Sequence, residues 1–565
     1  MTNERTAARI LVDQLRLNGV SDVFCVPGES FLAVLDSLRD TPIRVTVCRQ
    51  EGGAAMMAEA VGKLTGRPGI CFVTRGPGAT NASPGLHIAR QDSSPMILFV
   101  GQIARRHRER EAFQEIDYRA VFGSIAKWVT EIDDPSRVPE IVSRAFHVAT
   151  SGRPGPVVIA LPEDMLTEVA SVGDARPFEP TETFPGEGAL AQLSTMLAAA
   201  ERPIAIVGGS RWSEQAVADF ATFAESWDLP VACSFRRQML FPATHRCYAG
   251  DIGIAPNPKL VARIRDADLV LLAGGRFPEI PSQGYELFDI PEPRQTLIHV
   301  HADSGELNRI YHARLAIHAS PDPFAEAAAG LSPAAPPAWA GEAEQAHADY
   351  VAWSDPERVD SPGRLRMNHV LAVLRALVPA DAIMVSGAGN YASWLHRFWP
   401  HRRFGGQLAP TSGSMGYSVP PTIAAKRLHP DRMVLAFAGD GCFLMNGQEF
   451  ATLVQYELPA IILIVDNGML GTIRMHQERH YPGRVASTDL RNPDFAAYAK
   501  AFGGHGERVE TDAEFRPALE RAVNSGKPAI LHLIVDPEAI TPSATIGSLR
   551  EAALARRSSD GTGSG

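Results

Sequence analysis

The chain has 565 residues, a formal net charge of −10, and 45% hydrophobic and 21% charged residues, as in ordinary globular proteins. The charges are spread along the chain, which argues against a surface for nucleic acid or an anionic membrane. The six cysteines lack metal-type spacing. No apolar stretch is long enough to span a bilayer, and there is no secretory pattern. We therefore expect a cytoplasmic protein.

Short apolar runs alternate with helical patterns along almost the whole chain. They begin just before Pro27 and continue at 44–49, 69–74, 96–101, 155–161, 203–209, 229–234, 268–275, 296–302, 382–387, 433–441, 460–467 and 529–535. Runs this apolar, separated by helices, are typical of parallel strands that are buried on both faces. The pattern predicts an α/β protein with several doubly wound parallel sheets.

Two connecting stretches divide the chain. Residues 172–188 are rich in Pro, Glu and Thr, and residues 331–363 contain LSPAAPPAWAGEAEQ and DSPG. We therefore expect domains at 1–171, 189–330 and 364–540, followed by a tail at 541–565. The final SSDGTGSG (558–565) is of low complexity and is expected to be disordered.

The most specific pattern is VLAFAGDGCFLMNGQEFATLVQYELPAIILIVDNGMLGTI, residues 434–473. One predicted strand ends in GDG, a helix is predicted over 446–456, and a second strand ends in DNG. A right-handed crossover would bring both strand ends to one edge of the sheet, where ligands bind in such folds. Oxygen atoms of Asp440, Asn467 and the Met469 backbone would suit a Mg²⁺ ion that also holds a diphosphate.

This array resembles the motif of the thiamine diphosphate-dependent enzymes, in which GDG is followed, one helix and one strand later, by paired Asn residues. Asp466 replaces the first Asn, and Asn467 retains the second. The resemblance covers nearly the whole chain and implies three doubly wound domains (pyrimidine-binding, middle and diphosphate-binding), with thiamine diphosphate and Mg²⁺ as cofactors. The metal ligands it implies are Asp440, Asn467 and Met469. The other cofactor contacts it implies are Gly28, Pro77, Gly78, Asn390, Tyr391, Gly413, Met415, Gly439, Gly441, Cys442, Leu470 and Gly471.

The segment VTVCRQEGGAAMMAEAVGKLTGRPGICFVTRGPGATN (45–81) matches the family's pyrimidine-binding region and puts Glu51 at the catalytic position. The resemblance implies that its carboxyl group hydrogen-bonds a ring nitrogen of the aminopyrimidine, which is acid–base catalysis through the cofactor. Taken alone, Glu51 is also compatible with an acid in the first turn of a helix.

The branch that matches best is that of the acetolactate synthase large subunits. GQIARRHREREAFQEID (101–117) and GSIAKWV (123–129) resemble its substrate-approach segments, which implies roles for Phe113, Gln114 (a catalytic candidate) and Lys127. Arg474, in GTIRMHQ, is a further substrate candidate. GGRF (274–277), with Arg276, lies where that branch binds FAD, whereas CSFRRQMLFP (233–242) departs from the branch. The sequence therefore leaves open whether this protein binds FAD.

The loop PGESFLAVLD (27–36) departs from this branch, because Glu29 stands where acetolactate synthases usually have Gly, and pyruvate decarboxylases have an acid there. Glu29 is a catalytic candidate, as a proton donor or a substrate-orienting group, or else a helix-capping acid. Ser30 beside it is a substrate candidate.

The resemblance implies a carboligase that decarboxylates a 2-oxo acid and forms a C–C bond to a carbonyl acceptor through an enamine. The alternatives are a non-oxidative 2-oxo acid decarboxylase or C–C lyase (including the 2-hydroxyacyl- or oxalyl-CoA type), and, more remotely, a non-catalytic relative. It also implies a homodimer or homotetramer with active sites between subunits.

Overall fold

The computed structural model describes residues 4–561, without the side chains of 559–561. In this part of the chain, three six-stranded sheets follow one another, and all of their strand pairs are parallel. The fold class expected from the sequence is confirmed: three parallel-sheet α/β domains.

The first domain has strand order β3-β2-β4-β5-β7-β6, and a small antiparallel pair, β1 and β8, closes it. Its strands are β1 (Arg5–Thr6), β2 (Asp22–Cys25), β3 (Arg44–Val47), β4 (Gly69–Val73), β5 (Met96–Gln102), β6 (Trp128–Glu131), β7 (Pro156–Pro162) and β8 (Val169–Ala170). Its helices are α1 (Ala7–Leu17), α2 (Leu32–Arg39), α3 (Glu51–Thr65), α4 (Pro77–Asn81), α5 (Ser83–Asp92), α6 (Tyr118–Phe122), α7 (Val138–Thr150) and α8 (Glu163–Thr167).

The middle domain has strand order β11-β10-β9-β12-β13-β14. Its strands are β9 (Pro203–Val207), β10 (Val231–Ser234), β11 (Tyr248–Ile252), β12 (Leu269–Ala273), β13 (Thr296–His301) and β14 (Leu315–His318). Its helices are α9 (Glu187–Ala198), α10 (Glu214–Ser226), α11 (Pro258–Asp266), α12 (Pro321–Ala329) and α13 (Glu342–Trp353).

The third domain has strand order β16-β15-β17-β18-β20-β19. Its strands are β15 (Ile383–Ser386), β16 (Gln407–Leu408), β17 (Val434–Gly439), β18 (Ile461–Asp466), β19 (His505–Val509) and β20 (Ala529–Ile534). Its helices are α14 (Met367–Leu377), α15 (Tyr391–Phe398), α16 (Val419–Leu428), α17 (Asp440–Asn446), α18 (Phe450–Gln455), α19 (Gly471–His480), α20 (Phe495–Ala501), α21 (Asp512–Asn524) and α22 (Ile546–Gly561). Short 3₁₀ helices lie at Glu29–Phe31, Arg105–His107, Pro135–Arg137, Gln238–Leu240, Pro356–Arg358 and Gly447–Glu449.

Besides several short strands that the sequence did not predict, three segments differ from the sequence-based expectation. The helix after GDG begins at Asp440, and a 3₁₀ turn at Gly447–Glu449 divides it, where the Asn446 side chain donates to the Gly416 carbonyl. The expected linker at 331–363 contains α13, whose Tyr350 makes an edge-to-face contact with Tyr248 of β11. The expected disordered tail is helical as far as Gly561, and its last four residues lie outside the described part.

The first and third domains share one hydrophobic cluster, which is formed largely where α3 packs on α16. The middle domain has a core of its own. All six cysteines are buried, and none of them forms a disulfide in the described chain. No helix within residues 4–561 is long and apolar enough to cross a membrane. The first and third domains therefore pack closely against each other.

Candidate active site

A cavity of about 260 Å³ lies at the carboxyl ends of β15, β17 and β18 in the third domain. These strands are neighbours in the sheet, so the loops that follow them meet at one edge. The structure brings together here every cofactor contact predicted in this domain: Asn390, Tyr391, Gly413, Met415, Gly439, Asp440, Gly441, Cys442, Asn467, Met469, Leu470 and Gly471.

Asp440 is the first residue of α17 and is only 3% exposed. Its Oδ1 accepts from the Gly441 backbone N–H at 2.9 Å, and its Oδ2 accepts from Asn492 Nδ2 at 2.7 Å. Burial, with the neighbouring Asp466 adding to it, raises the pKa of Asp440 to about 6. No Lys, Arg or His in the described chain forms an ion pair with this carboxylate. A buried acid without a cationic partner, beside the carboxamide of Asn467, is a donor set that fits a hard divalent cation.

Asp466, the departure from the family motif, is held by a network of hydrogen bonds. Its Oδ2 lies 2.8 Å from His532 Nε2, and its Oδ1 accepts from Gly468 N and from Asn492 Nδ2, each at 2.9 Å. Burial alone would raise the pKa of Asp466, but these hydrogen bonds outweigh it and lower the pKa. Asn492 thus bridges Asp440 and Asp466. The sequence gives no motif for it, because it comes from a loop 26 residues beyond Asp466.

Cys442 holds the cavity wall around Met415 in place through two hydrogen bonds. The Cys442 Sγ accepts from the Tyr391 hydroxyl and from the Gly416 backbone N–H, both at 3.2 Å. A Cβ at Gly439 would lie 2.8 Å from the Tyr391 ring, so only glycine lets that ring lie against the strand end. The loops that follow β15 and β17 are therefore fixed relative to each other.

The predicted residues of the first domain form a second group, at the carboxyl ends of β2, β3 and β4. Glu51 begins α3, and its Oε2 accepts from Asn81 Nδ2 at 3.0 Å. Pro77 and Gly78 open α4, and a Cβ at Gly78 would lie 3.3 Å from Glu51 Oε1. Gly28 packs on Thr74, where a Cβ would come within 2.5 Å. None of these residues lines the third-domain cavity of the same chain.

The loop residues predicted to face substrate differ in their surroundings. Glu29 is 66% exposed and pairs with Arg75, whereas Ser30 is buried and its hydroxyl lies 2.9 Å from Thr74 Oγ1. Phe113 is 74% exposed, and Gln114, with φ of 66°, packs closely on the Gly76 backbone. The exposed Phe113 side chain can therefore contact a ligand, whereas Gln114 packs against the turn that precedes Pro77.

Lys127 and Arg474 do not join these groups. Lys127 directly precedes β6, which is the outermost strand on the side of the sheet away from β3. Its Nζ donates to the Ser151 carbonyl at 2.7 Å. Burial lowers the pKa of Lys127 to about 8. Arg474 lies on α19, where its Nε donates to Glu478 at 3.0 Å. Their substrate roles stay predictions that this chain's geometry gives no reason to favour.

Two further cavities, of about 600 and 390 Å³, lie between the middle domain and its neighbours. Both are lined by Arg276, and burial lowers its pKa to about 10. Arg236 and Arg237 line the larger one, which shares Asn390 and Thr472 with the third-domain cavity. Arg236 and Arg237 are buried and donate to backbone carbonyls. Arg276, which lines both cavities, would suit a ligand that carries phosphates.

The fold and the two polar groups define a class of protein: a three-domain α/β protein with ligand-binding edges on its first and third sheets. Comparison with known proteins identifies the family. The models of the N-terminal thiamine pyrophosphate binding domain, the central domain and the C-terminal thiamine pyrophosphate binding domain of the thiamine pyrophosphate enzymes match residues 5–121, 190–328 and 387–533.

The chain is 32% identical over 536 residues to the acetolactate synthase isozyme 2 large subunit of Escherichia coli (strain K12), covering 94% of this chain and 95% of that protein. It is 30% identical to the acetolactate synthase large subunit of Corynebacterium glutamicum, covering 96% and 89%. It is 28% identical to the probable acetolactate synthase large subunit of Methanocaldococcus jannaschii, covering 95% and 93%. The chain belongs to the thiamine pyrophosphate enzymes, in the branch of the acetolactate synthase large subunits, as its motifs predicted.

Proposed function

We propose that the protein is a thiamine diphosphate-dependent carboligase of the acetolactate synthase type, which decarboxylates a 2-oxo acid and joins the remaining fragment to a carbonyl acceptor. The observation that carries this proposal is the similarity to acetolactate synthase large subunits over 94% of the chain. The test is to supply pyruvate alone and identify the products. Acetolactate supports the ligase; acetaldehyde alone would support a decarboxylase.

A non-oxidative decarboxylase or lyase is the second candidate, and Glu29 is the observation that favours it. An acidic side chain that is 66% exposed on a ligand-binding loop could deliver a proton where a ligase would add a carbonyl compound. Acyl-CoA substrates of the 2-hydroxyacyl or oxalyl type fall within this alternative. Product analysis with several 2-oxo acids and acyl-CoA compounds separates the two.

The cofactors are thiamine diphosphate and Mg²⁺. Asp440, Asn467 and the Met469 carbonyl would hold the metal, and the buried, unpaired carboxylate of Asp440 supports this assignment. Met415 would pack against the cofactor, and Glu51 would hold a proton against a ring nitrogen of the pyrimidine. When bound, the cofactor supplies an electron sink for the loss of carbon dioxide.

The active site is assembled from two chains, as a homodimer or homotetramer. The support is that the Glu51 group and the Asp440 cavity do not meet within one chain, although both are formed. Inactive Glu51→Gln and Asp440→Ala proteins, mixed and allowed to exchange subunits, should recover about a quarter of full activity, because half of the dimers are mixed and each mixed dimer has one intact site. If each site were contained in one chain, the mixture would stay inactive.

FAD is proposed for the cavities beside the middle domain. Arg276 lines both cavities and could pair with the phosphates of FAD. A flavin absorbance spectrum from the purified protein would support this ligand, and a colourless protein that binds no added FAD would exclude it.

The proposed location is the cytoplasm, which the six buried, unpaired cysteines support because such thiols suit a reducing compartment. The partners we propose are a small 2-oxo acid and a carbonyl acceptor.

A further inference from the structure

The turn that leads into the catalytic candidate Glu51, the β3–α3 turn (residues 48–50), is held from the third domain of the same chain. Glu449 Oε1 accepts from two consecutive backbone N–H groups, those of Arg49 at 2.8 Å and of Gln50 at 3.0 Å. Glu51 is the next residue and the first of α3. One carboxylate oxygen therefore fixes the backbone that directly precedes Glu51.

Glu449 lies in the turn that divides the helix after GDG. α17 runs from Asp440 to Asn446, and the 3₁₀ turn at Gly447–Glu449 follows it. The helix thus starts at the proposed metal ligand, and the turn after it ends at the residue that holds the β3–α3 turn. The division of this helix, which the sequence did not predict, places an acid against another domain.

The surroundings of Glu449 are shaped to admit its carboxyl group. The residue is fully buried, and its Oε2 accepts from the Thr452 hydroxyl at 2.7 Å. A Cβ at Gly53 would lie 3.0 Å from Glu449 Oε1, a closer approach than side chains normally make. Burial raises the pKa of Glu449, and its hydrogen bonds offset part of that rise. An apolar side chain could fill this space at a lower desolvation cost, which points to a role in holding the turn.

The Glu51 side chain has few other restraints. Its Oε2 accepts from Asn81 Nδ2 at 3.0 Å, and its Oε1 makes no hydrogen bond within the described chain. The Gln50 side chain accepts from Gly53 N at 3.0 Å and so caps α3. The position of the Glu51 carboxyl group therefore depends on the backbone of the β3–α3 turn, which Glu449 holds.

We propose that Glu449 is a positioning residue that sets the Glu51 carboxyl group against the aminopyrimidine of thiamine diphosphate and thereby controls the rate of cofactor activation. This inference rests on the proposed function, in which Glu51 holds a proton at the pyrimidine ring nitrogen. Without Glu449 two backbone N–H groups lose their acceptor and the turn is no longer fixed. A displacement of a catalytic group by about 1 Å can lower the rate about 100-fold.

The test uses the holoenzyme with saturating thiamine diphosphate and Mg²⁺, and measures hydrogen–deuterium exchange at C2 of the bound cofactor by acid quench and NMR. Glu449→Ala should slow this exchange at least about tenfold. Glu449→Gln keeps an oxygen that can accept from both N–H groups, and its exchange rate should stay within about threefold of the wild type. Glu51→Gln combined with Glu449→Ala should exchange no more slowly than Glu51→Gln alone, because Glu449 acts only through Glu51.

Tyr456→Phe is the matched control. The Tyr456 hydroxyl accepts from Val47 N at 2.8 Å, so it is another contact from the third domain to the chain just before the β3–α3 turn. Its loss should lower the melting temperature and leave the C2 exchange rate unchanged. Thermal unfolding shows whether each variant is folded; if Glu449→Ala is not, Glu449→Met, which fills the space without the acceptor, is compared with Glu449→Gln.

Three results would overturn the inference and leave the role of Glu51 intact. They are an unchanged exchange rate in a folded Glu449→Ala or Glu449→Met protein, additive slowing in the double variant, and equal slowing by Tyr456→Phe. If Glu51→Gln itself exchanges at the wild-type rate, the proposed role of Glu51 fails, and this inference fails with it. Because no 2-oxo acid is present, the outcome does not depend on whether the protein is a ligase or a decarboxylase.

Discussion

Replacing Asp440 with Asn should stabilise the cofactor-free protein at neutral pH, although Asp440 is a proposed metal ligand. Burial raises the pKa of this carboxyl group from an ordinary value of 3.8 to about 6. The folded state therefore keeps a proton that the unfolded chain has lost between about pH 4 and pH 6, and stability falls as the pH rises through that range. Above about pH 6 the buried charge costs about 3 kcal/mol.

Asparagine removes this charge, but it cannot accept hydrogen bonds from both Gly441 N and Asn492 Nδ2, which costs about 1 kcal/mol. The net gain is about 2 kcal/mol, or a rise in the melting temperature of about 4–8 °C for a domain of this size. The assay is scanning calorimetry in excess chelator at about pH 7.5 and about pH 4, and the gain should disappear at the lower pH. Thiamine diphosphate with Mg²⁺ should then stabilise the wild type far more than the variant.

Asp466→Asn is the matched control, because it makes the same chemical change at the end of the neighbouring strand. Its effect on the melting temperature at neutral pH should have the opposite sign. Hydrogen bonds from His532 and its neighbours lower the pKa of Asp466. The stability they give is complete above the ordinary pKa and is lost as the pH falls through the lowered value, so at neutral pH the substitution should destabilise. If Asp440→Asn also lowers the melting temperature of the cofactor-free protein at about pH 7.5, the unpaired-charge argument is refuted.

Three further predictions concern other parts of the molecule. Glu51→Gln should slow hydrogen–deuterium exchange at C2 of bound thiamine diphosphate by about 100-fold or more, measured by NMR; an unchanged rate would remove Glu51 from the catalytic role. Lys63→Met should destabilise by about 3–5 kcal/mol in denaturant unfolding, because it leaves the buried carboxylates of Glu59 and Asp92 without their shared cation. Arg276→Ala should weaken FAD binding in a fluorescence titration and leave binding of thiamine diphosphate with Mg²⁺ within about threefold, whereas equal loss of both would mean that the substitution damages the fold.

The central strands were predictable because they are buried on both faces. β4, β5 and β17, for example, contain no exposed residue, and their apolar runs leave few other interpretations. The strands that were not predicted are the edge strands β6, β11, β14, β16 and β19 and the short pair β1 and β8. β14 alternates buried and exposed residues over only four positions, and β16 has two residues, so neither gives a pattern that can be distinguished from a loop.

The third-domain cavity was predictable for a related reason. Most of its lining follows β15, β17 and β18, and strand order brings such loops together whatever their detailed conformation. Asn492 could not be found in this way, because its position depends on the path of a loop rather than on a strand end. Lys127 shows what motif matching leaves untested, since its segment resembles the family while its side chain donates to the Ser151 carbonyl, and its substrate role stays a prediction.

Glu29 shows what geometry adds to a motif. From the sequence alone, Glu29 could be a proton donor, a substrate-orienting group or a helix-capping acid. No backbone N–H in the described chain donates to its side chain, and the helix that it begins has only three residues, so the capping interpretation lacks its hydrogen bond. Its carboxylate pairs with Arg75 and is 66% exposed, so the roles of proton donor and substrate-orienting group both stay predictions. The products and the pH dependence of Glu29→Gln and Glu29→Gly would tell these two roles apart, and if both variants keep the rate and the products of the wild type, Glu29 takes part in neither.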